Sequence, residues 1–312
     1  MKTPTIQELA DFTLESYTNF LRYLSKIYRV VRFCDIPQKD VPYLILRHDI
    51  DYSLPAALRM AKIEQNLGIR STYFVLLSNK FYDVLEEKNA NILRKISNLG
   101  HEIGFHYYPP QYQSLGRNKN KILDIEIQLL EHVTGKKVYS IARHGPWDRD
   151  PFATTRKYIN ANHPSLRKDL FVHDSCRAWT PLQGLFTLLS NPPKRVQLLT
   201  HPENWQDDKI DKETLLEKFF ESLENEVATL KKDIKKVWLT NQLVLEYDHL
   251  SKMKDLTQFY NTSCNSNPKS RSDLHQLKHY KQVGQWYLVN TSFGWRFHQV
   301  INKIRNALQN MH

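Results

Sequence analysis

The feature that most constrains the fold is a short apolar run that ends abruptly in charged residues. Residues 41–46 read VPYLIL, and Arg-His-Asp-Ile-Asp follows at once. A buried parallel strand has this pattern, because apolar side chains cover both of its faces and polar ones are delivered at its carboxyl end. Asp49 and Asp51 are two residues apart, so a continued extended backbone turns both carboxylates to one side. We therefore predict a strand that brings two carboxylates to the end of a sheet.

Strand and helix patterns alternate along the chain around this run. We predict helices at the N-terminus (5–27) and over 54–67, 87–99 and 213–235, and further strands over 71–77, 101–106, 137–142, 168–173, 195–200 and 236–240. Strands that alternate with helices are typical of a parallel sheet. The expected fold is α/β, a distorted seven-stranded (β/α) barrel that follows the N-terminal helix and precedes a C-terminal helical tail.

The C-terminal part of the chain differs from the rest in composition. Residues 261–272 are rich in Asn and Ser and indicate a linker, so we predict a barrel domain over 1–255 and a basic linker with an amphipathic tail over 256–312. Residues 296–308 place apolar side chains on one helical stripe beside basic ones. This stripe favours either packing on the chain's own domain or peripheral contact with an anionic membrane surface.

Charge and cysteine content limit the classes of function. The net charge is +11, and residues 252–305 hold nine lysines and arginines against two aspartates, so most of the excess belongs to the predicted tail. A basic tail without a recognised motif argues against nucleic-acid binding. The three cysteines are widely spaced, and the first residues lack the apolar stretch of a secretory signal. We therefore expect a cytoplasmic protein, at the inner membrane face if the tail docks there.

The candidate chemistry lies at three predicted strand ends. The sequence His48-Asp49-Ile50-Asp51 ends the first strand, His106 follows GHEIGF, and His201 follows VQLLT. All carboxyl ends of a parallel barrel open on one face, so these residues are expected to converge. One carboxylate can then hold a cation while the other accepts a proton. The alternative is that the two aspartates only cap the helix that begins near Leu54.

Six segments occur in the order of a known set of motifs. RHDIDYS, GIRSTYF, GHEIGFH, ARHGPW, HDS and QLLTHP resemble those of the polysaccharide deacetylase superfamily (NodB homology, carbohydrate esterase 4) over about residues 41–205. The chain is more closely similar to a branch with an HDxD first motif that is associated with bacterial O-antigen or capsule biosynthesis. The resemblance implies a metal-dependent hydrolase that uses one divalent cation, with Zn expected ahead of Co, Ni or Fe.

The resemblance also implies roles for single residues. Asp49 corresponds to the catalytic base and Asp51 to a metal ligand, although the Asp-x-Asp spacing leaves the two roles open to exchange. His106 corresponds to the first ligand histidine, whereas Pro110 occupies the position of the second. This departure leaves the usual Asp-His-His triad one ligand short.

A neutral imidazole is the natural third ligand. His144 is our candidate, because ARHGPW occupies the place where the superfamily has its site-lining Arg-Pro-Pro-Tyr segment; His48 and His101 are the alternatives. His201 corresponds to the histidine that protonates the departing amine, and Asp174 to the acidic residue that orients it. The expected substrate-binding residues are Arg143, Trp147, Trp179 and Trp205.

Two functions remain open at this point. The first is removal of an N-acyl group, expected to be N-acetyl, from a nucleotide-linked or lipid-linked sugar during surface-polysaccharide biosynthesis. The second is a catalytically degenerate barrel that binds a glycan or sugar nucleotide without turnover, which the proline at position 110 suggests.

Overall fold

The computed structural model describes residues 3–38, 41–77, 79–113, 115–145 and 150–239. The chain divides into two compact units, Met1–Lys212 and Glu213–His312. The first unit contains the sheet and the candidate site. The predicted domain boundary at residue 255, the linker and the amphipathic tail all lie outside the described residues, so they stay predictions.

One parallel sheet organises the first unit. Its strands are β1 (Arg29–Val31), β2 (Tyr43–Ile50), β3 (Thr72–Leu76), β4 (Glu102–Tyr107), β5 (Ser140–Arg143), β6 (Ile159–Asn160), β7 (Leu170–His173) and β8 (Arg195–Thr200). Seven strands follow the order β6-β5-β4-β3-β2-β8-β7, and β1 pairs with β2 beside this path. All the pairings are parallel. The seven strands form a curled half-barrel with flanking helices, which confirms the predicted α/β barrel.

The described helices are α1 (Ile6–Ala10), α2 (Leu14–Leu24), α3 (Leu54–Asn66), α4 (Glu87–Asn98), α5 (Pro109–Gln113), α6 (Lys119–Thr134), α7 (Leu182–Ser190) and α8 (Lys212–Leu239). Helices α3 and α4 match the predicted 54–67 and 87–99 to within a residue. Helix α3 ends where Gly68 takes a φ of +71°, a left-handed conformation that favours glycine. No described helix combines the length and the apolarity that crossing a bilayer requires.

The prediction of one continuous N-terminal helix is wrong. The chain breaks between α1 and α2, where Phe12 has a φ of +51°. The side chain of Thr13 then accepts a hydrogen bond from the Ser16 N–H and starts a new helix. The backbone at Phe12 and Leu14 pairs instead with Gln206, which ties the break to the segment after β8. A helical apolar period is present on both sides of the break, so periodicity alone did not reveal it.

The strand predicted over 236–240 is also wrong, because residues up to Leu239 continue α8. The sequence from 231 to 239, KKDIKKVWL, contains no glycine or proline that would end the preceding helix. Strands β1 and β6 were not predicted. They are only three and two residues long, which is too short for an apolar pattern to stand out.

Side chains alternate along β2 between two environments. Leu44 and Leu46 pack in the apolar cluster that includes residues of α2 and α7. Ile45 packs with Phe74 in the cluster on the other side of the sheet, and Arg47 and Asp49 follow on that same side. Strand β2 extends to Ile50, four residues beyond the predicted end, so Asp49 lies within the strand.

A buried polar network joins β2 to its neighbours on the opposite face. The carboxylate of Glu64 in α3 is completely buried and accepts hydrogen bonds from the hydroxyls of Tyr17 (2.5 Å), Ser71 (2.5 Å) and Tyr73 (3.0 Å). Nε2 of His48 lies 2.8 Å from Glu64 Oε1, and its Nδ1 lies 2.8 Å from the Thr200 hydroxyl. The network connects β2, β3 and β8 directly beneath the strand ends that carry the candidate site.

Candidate metal centre

Three predicted ligands come together at the carboxyl ends of the strands. Oδ1 of Asp51 lies 3.2 Å from Nδ1 of His144 and 3.7 Å from Nε2 of His106, and the two histidine nitrogens are 3.2 Å apart. These are the ligand atoms of a group whose members all lie within 4.8 Å of one another. One carboxylate oxygen and two imidazole nitrogens form a donor set that suits Zn and other divalent transition metals.

The surroundings of His106 prepare it as a ligand. Its Nδ1 lies 2.9 Å from the carbonyl oxygen of Ala142 in β5, so Nδ1 carries the proton and Nε2 presents its lone pair to the group. Burial lowers the pKa of His106 to about 4, although the Asp49 and Asp51 carboxylates oppose this effect. The imidazole is therefore neutral at physiological pH, which is the form that binds a cation.

The Asp51 carboxylate is also suited to bind a cation. Oδ1 of Asp51 is buried and accepts no hydrogen bond from any described residue, although two histidine nitrogens lie close to it. Burial by itself would raise the pKa of Asp51, but His144, His201 and His106 together outweigh it and lower the pKa. An ionised carboxylate oxygen beside two imidazole nitrogens is what a metal ligand set requires.

Asp49 lies beside this group and is paired with Arg47. Nε and Nη2 of Arg47 donate to Oδ1 and Oδ2 of Asp49 at 2.7 and 2.8 Å, and both side chains are almost fully buried. Oδ2 of Asp49 lies 3.5 Å from Nε2 of His106. Burial would raise the pKa of Asp49, but the guanidinium of Arg47, together with His106, lowers it far below its usual range. Asp49 is therefore held as a carboxylate, with both oxygens engaged.

The alternative that Asp49 and Asp51 only cap a helix does not agree with the structure. The hydroxyl of Ser53, not an aspartate, accepts the hydrogen bond from the Ala56 N–H at the start of α3. Both carboxylates face the histidines instead.

His201 and Asp174 form a second pair at the edge of the group. Nδ1 of His201 lies 2.6 Å from Oδ1 of the fully buried Asp174, and Nε2 lies 3.8 Å from Oδ2 of Asp51. Burial alone would lower the pKa of His201, but the hydrogen bond and charge of Asp174 raise it to about 10. The imidazole therefore holds a proton at neutral pH and directs its Nε2 toward the candidate metal ligands.

The backbone after Asp174 turns sharply. Cys176 and Arg177 both have a φ of +55°, which costs on the order of 1–3 kcal/mol for each residue that is not glycine. The guanidinium of Arg177 donates to the carbonyl oxygens of Asn204 and Ile210, at 3.0 and 2.7 Å, and holds the turn in place. The turn directly follows Asp174, the residue that bonds to His201.

The expectation that Trp205 and Trp179 stack on a sugar is wrong. Trp205 is completely buried, and its indole N–H donates to Oδ2 of Asp174 at 2.9 Å. Trp179 is 8% exposed, donates to the carbonyl oxygen of Leu9, and packs against Phe12. Both rings belong to the apolar cluster that the N-terminal helices complete. Trp147 lies outside the described residues, so its role stays a prediction.

The other expected residues are placed as follows. Arg143 is half-buried at the end of β5, next to His144, where its backbone N–H donates to Asn162. His48 and His101 face Glu64 beneath the sheet, so neither competes with His144 as the third ligand. Pro110 lies in α5, and the chain turns there immediately after β4.

The sequence did not point to three further residues near the site. They are Arg47, Arg167 and Glu203. Arg47 is two residues before Asp49, just as Asp49 is two residues before Asp51. The alternation of side chains along a strand therefore places all three on one side, and it could have identified Arg47 from the sequence. Both carboxylate oxygens of Glu203 are buried without a hydrogen-bond partner in the described structure. Burial and the charge of Asp51 raise the pKa of Glu203 well above its usual range.

Comparisons with known proteins give similarity at the level of structure. No family model and no curated protein matches the chain. A CE4 family pseudoenzyme from Bacillus anthracis is similar with a TM-score of 0.39 and 17% identity over 60% of this chain and 62% of that one. The chain thus spans less than two thirds of that structure's length.

Two further solved structures are similar over more of their length. A family 4 carbohydrate esterase from Bacillus anthracis has a TM-score of 0.36 and 14% identity over 67% of this chain and 86% of that one. The peptidoglycan deacetylase PdaC from Bacillus subtilis has a TM-score of 0.37 and 14% identity over 64% of this chain and 98% of that one.

Proposed function

We propose that the chain is a metal-dependent carbohydrate deacetylase that hydrolyses the N-acyl group of a sugar. The observation that carries the proposal is the convergence of Asp51, His106 and His144 beside two acid–base pairs, Arg47–Asp49 and Asp174–His201. The ordered motifs support the same chemistry. The proposed substrate is a nucleotide-linked or lipid-linked N-acetyl sugar of surface-polysaccharide assembly in the cytoplasm.

Asp51, His106 and His144 would hold the cation. When bound there, a divalent cation polarises the acyl carbonyl and lowers the pKa of water, and Zn suits the donor set. The protein itself keeps Asp51 ionised and His106 neutral, so neither ligand has to change its charge to bind.

Asp49 is assigned to receive the proton of the attacking water. Its Oδ2 atom is the carboxylate oxygen of Asp49 that lies nearest to His106. The two hydrogen bonds from Arg47 fix the orientation of this carboxylate and keep it ionised, at the cost of lower basicity.

His201 is assigned to protonate the departing amine. The Asp174 carboxylate holds the proton on the imidazole and fixes the direction of Nε2, which faces Asp51 at the candidate metal centre. The amine then leaves as a neutral group, and the acyl group leaves as a carboxylic acid.

Metal content is the first test of this proposal. We expect about one Zn, Co, Ni or Fe per chain by elemental analysis, lost in the variants Asp51→Asn, His106→Ala and His144→Ala. His163→Ala is the matched control, because His163 is exposed and its side chain bonds to the neighbouring Ser165. A folded wild-type protein that binds no metal even in excess would overturn the proposal.

The second candidate, a barrel that binds sugar without turnover, is favoured by one observation. Both oxygens of Asp49 are engaged by Arg47, which weakens this carboxylate as a base. Acetate release from a panel of N-acetylated sugar nucleotides separates the two functions. Stoichiometric metal and tight sugar binding without any acetate release would favour the binding protein.

A further inference from the structure

Arg167 carries a positive charge that the described chain does not neutralise. It follows a short turn over Pro164–Leu166, and its guanidinium carbon lies 4.0 Å from the centre of the Phe171 ring. Its Nε is buried and has no hydrogen-bond partner, and no ion pair joins Arg167 to a carboxylate within the part of the chain that the structure describes. The residue as a whole is only half-buried, so the rest of its guanidinium can still meet an anionic ligand.

Charged side chains of both signs lie around Arg167. Burial, followed by the charges of Arg47 and Arg143, lowers the pKa of the Arg167 guanidinium below its usual range, while Asp49 and Asp150 oppose this. The carboxylate of Asp49 is already engaged by Arg47 in a two-bonded pair. Arg167 therefore has no share in the Arg47–Asp49 pair.

The backbone that presents Arg167 is anchored. The side-chain amide of the fully buried Gln197 in β8 donates to the carbonyl oxygens of Ala161 (3.0 Å) and Leu166 (3.4 Å). The side-chain oxygen of Gln197 also lies 3.5 Å from Nη1 of Arg47. One side chain thus links the loop before Arg167 to the arginine that orients Asp49. The guanidinium lies over Phe171, whose ring is 5.3 Å from that of His173.

We propose that Arg167 binds a phosphate group of the substrate, the group that joins the acylated sugar to its nucleotide or lipid carrier. The inference rests on the proposed function and assigns one part of its specificity to this residue. A guanidinium presents a planar fork of N–H donors that matches phosphate oxygens. The diphosphate of such a carrier has two negative charges, so it is expected to bind this cation more strongly than a singly charged carboxylate does.

Binding of inorganic pyrophosphate tests the site apart from catalysis. The full chain is first treated with a chelator, so that no metal can bind the probe, and affinity is measured by calorimetry. We expect Arg167→Gln to weaken pyrophosphate binding at least about tenfold. Arg167→Lys is expected to weaken it less, since lysine keeps the positive charge but lacks the parallel N–H donors of a guanidinium. Acetate, at equal concentration, is expected to bind far more weakly than pyrophosphate.

Lys168→Gln is the matched control, because Lys168 is adjacent in sequence and exposed. It removes the same charge and is expected to leave pyrophosphate affinity unchanged. Equal losses in Arg167→Gln and Lys168→Gln would show a nonspecific charge effect and overturn the proposal, as would acetate binding as tight as that of pyrophosphate. Thermal unfolding checks that Arg167→Gln is folded; removal of a half-buried charge that has no ion-pair partner among the described residues is not expected to destabilise it.

Kinetics on the metal-loaded enzyme complete the test. We expect Arg167→Gln to raise KM for UDP-N-acetylglucosamine or for a short-chain prenyl diphosphate N-acetylglucosamine, and to leave kcat/KM for free N-acetylglucosamine unchanged. Whichever carrier shows the larger change identifies the source of the phosphate. If Arg167→Gln lowers kcat/KM for the free sugar by as much as for the carrier-linked sugars, this inference is overturned and the proposed function stands. If the chain binds pyrophosphate but holds no metal and releases no acetate, only the proposed function is overturned.

Discussion

Nδ1 of His201 lies 2.6 Å from Oδ1 of Asp174, and the backbone N–H of His201 donates to the same oxygen at 2.9 Å. The carboxylate is completely buried, and its second oxygen accepts a hydrogen bond from the indole of Trp205. The imidazole therefore cannot turn without breaking a bond to a buried charge. This pair fixes the direction in which His201 presents its proton.

Asp174→Asn is expected to lower kcat by roughly 10²–10⁴-fold, with little change in KM. The amide keeps the shape of the side chain but removes the charge that raises the pKa of His201. Metal content is expected to remain at the wild-type value, because Asp174 does not contact the three ligands. Steady-state acetate release and elemental analysis measure the two quantities.

The control for this variant is Asp169→Asn, which removes an aspartate just before β7 that pairs with Arg195 at the surface. It is expected to leave kcat unchanged. Normal turnover in Asp174→Asn, or loss of its metal, would contradict the role given to the pair.

Arg47→Met is expected to lower the free energy of unfolding by about 3–5 kcal/mol, because it leaves the buried carboxylate of Asp49 without its cation. The double variant with Asp49→Asn is expected to recover most of this loss. Urea unfolding of the two single variants and the double variant forms a double-mutant cycle.

Arg195→Met is the comparison for the Arg47 cycle, since Arg195 pairs with Asp169 while 46% exposed. Its cost is expected to be below about 1 kcal/mol. Additive losses in the Arg47 cycle would show that the two buried side chains do not depend on each other.

Glu64→Gln is expected to destabilise the protein at neutral pH, and the difference from wild type is expected to shrink as the pH falls below about 4.3. Burial would raise the pKa of Glu64, but His48, His101 and Ser71 together lower it to about 2. A carboxyl whose folded pKa is lowered stabilises the fold above its unfolded pKa of about 4.3 and loses that contribution as pH falls toward 2. Unfolding free energies of the metal-free proteins between pH 7 and pH 3 measure the effect. A constant difference across this range would show that the charge of Glu64 is not responsible.

Gly104→Ala is expected to cost about 1–3 kcal/mol through overpacking. A Cβ at this position would lie 2.4 Å from Cε1 and 2.5 Å from Cδ1 of Phe74, and 2.9 Å from the Ser140 hydroxyl. Gly104 is two residues before His106 on β4, so metal affinity is expected to fall as well. Gly135→Asn is the control, because a Cβ there has no neighbour within 4 Å and Asn tolerates its left-handed φ of +67°. Thermal unfolding that ranks the control below Gly104→Ala would contradict this packing argument.

The local sequence pattern was sufficient to predict most strands of the central sheet. The run VPYLIL and the strand predicted over 195–200 correspond to β2 and β8, because buried parallel strands need continuous apolar sequence. The motif order indicated Asp51, His106, His144 and His201, and the structure brings these four together. Local pattern was not sufficient at Phe12, where a tertiary backbone pairing with Gln206 interrupts the N-terminal helix.

The amino-acid sequence by itself determined the alternation of strands and helices and the polar residues that end the strands. Only the tertiary structure decided which of those residues meet and what holds them. Arg47 is paired with Asp49, the buried Trp205 supports Asp174, and Arg167 has no carboxylate partner among the described residues. The physical reason is that burial and charge pairing depend on segments distant in sequence that meet only when the sheet curls, whereas periodicity is a property of neighbouring residues.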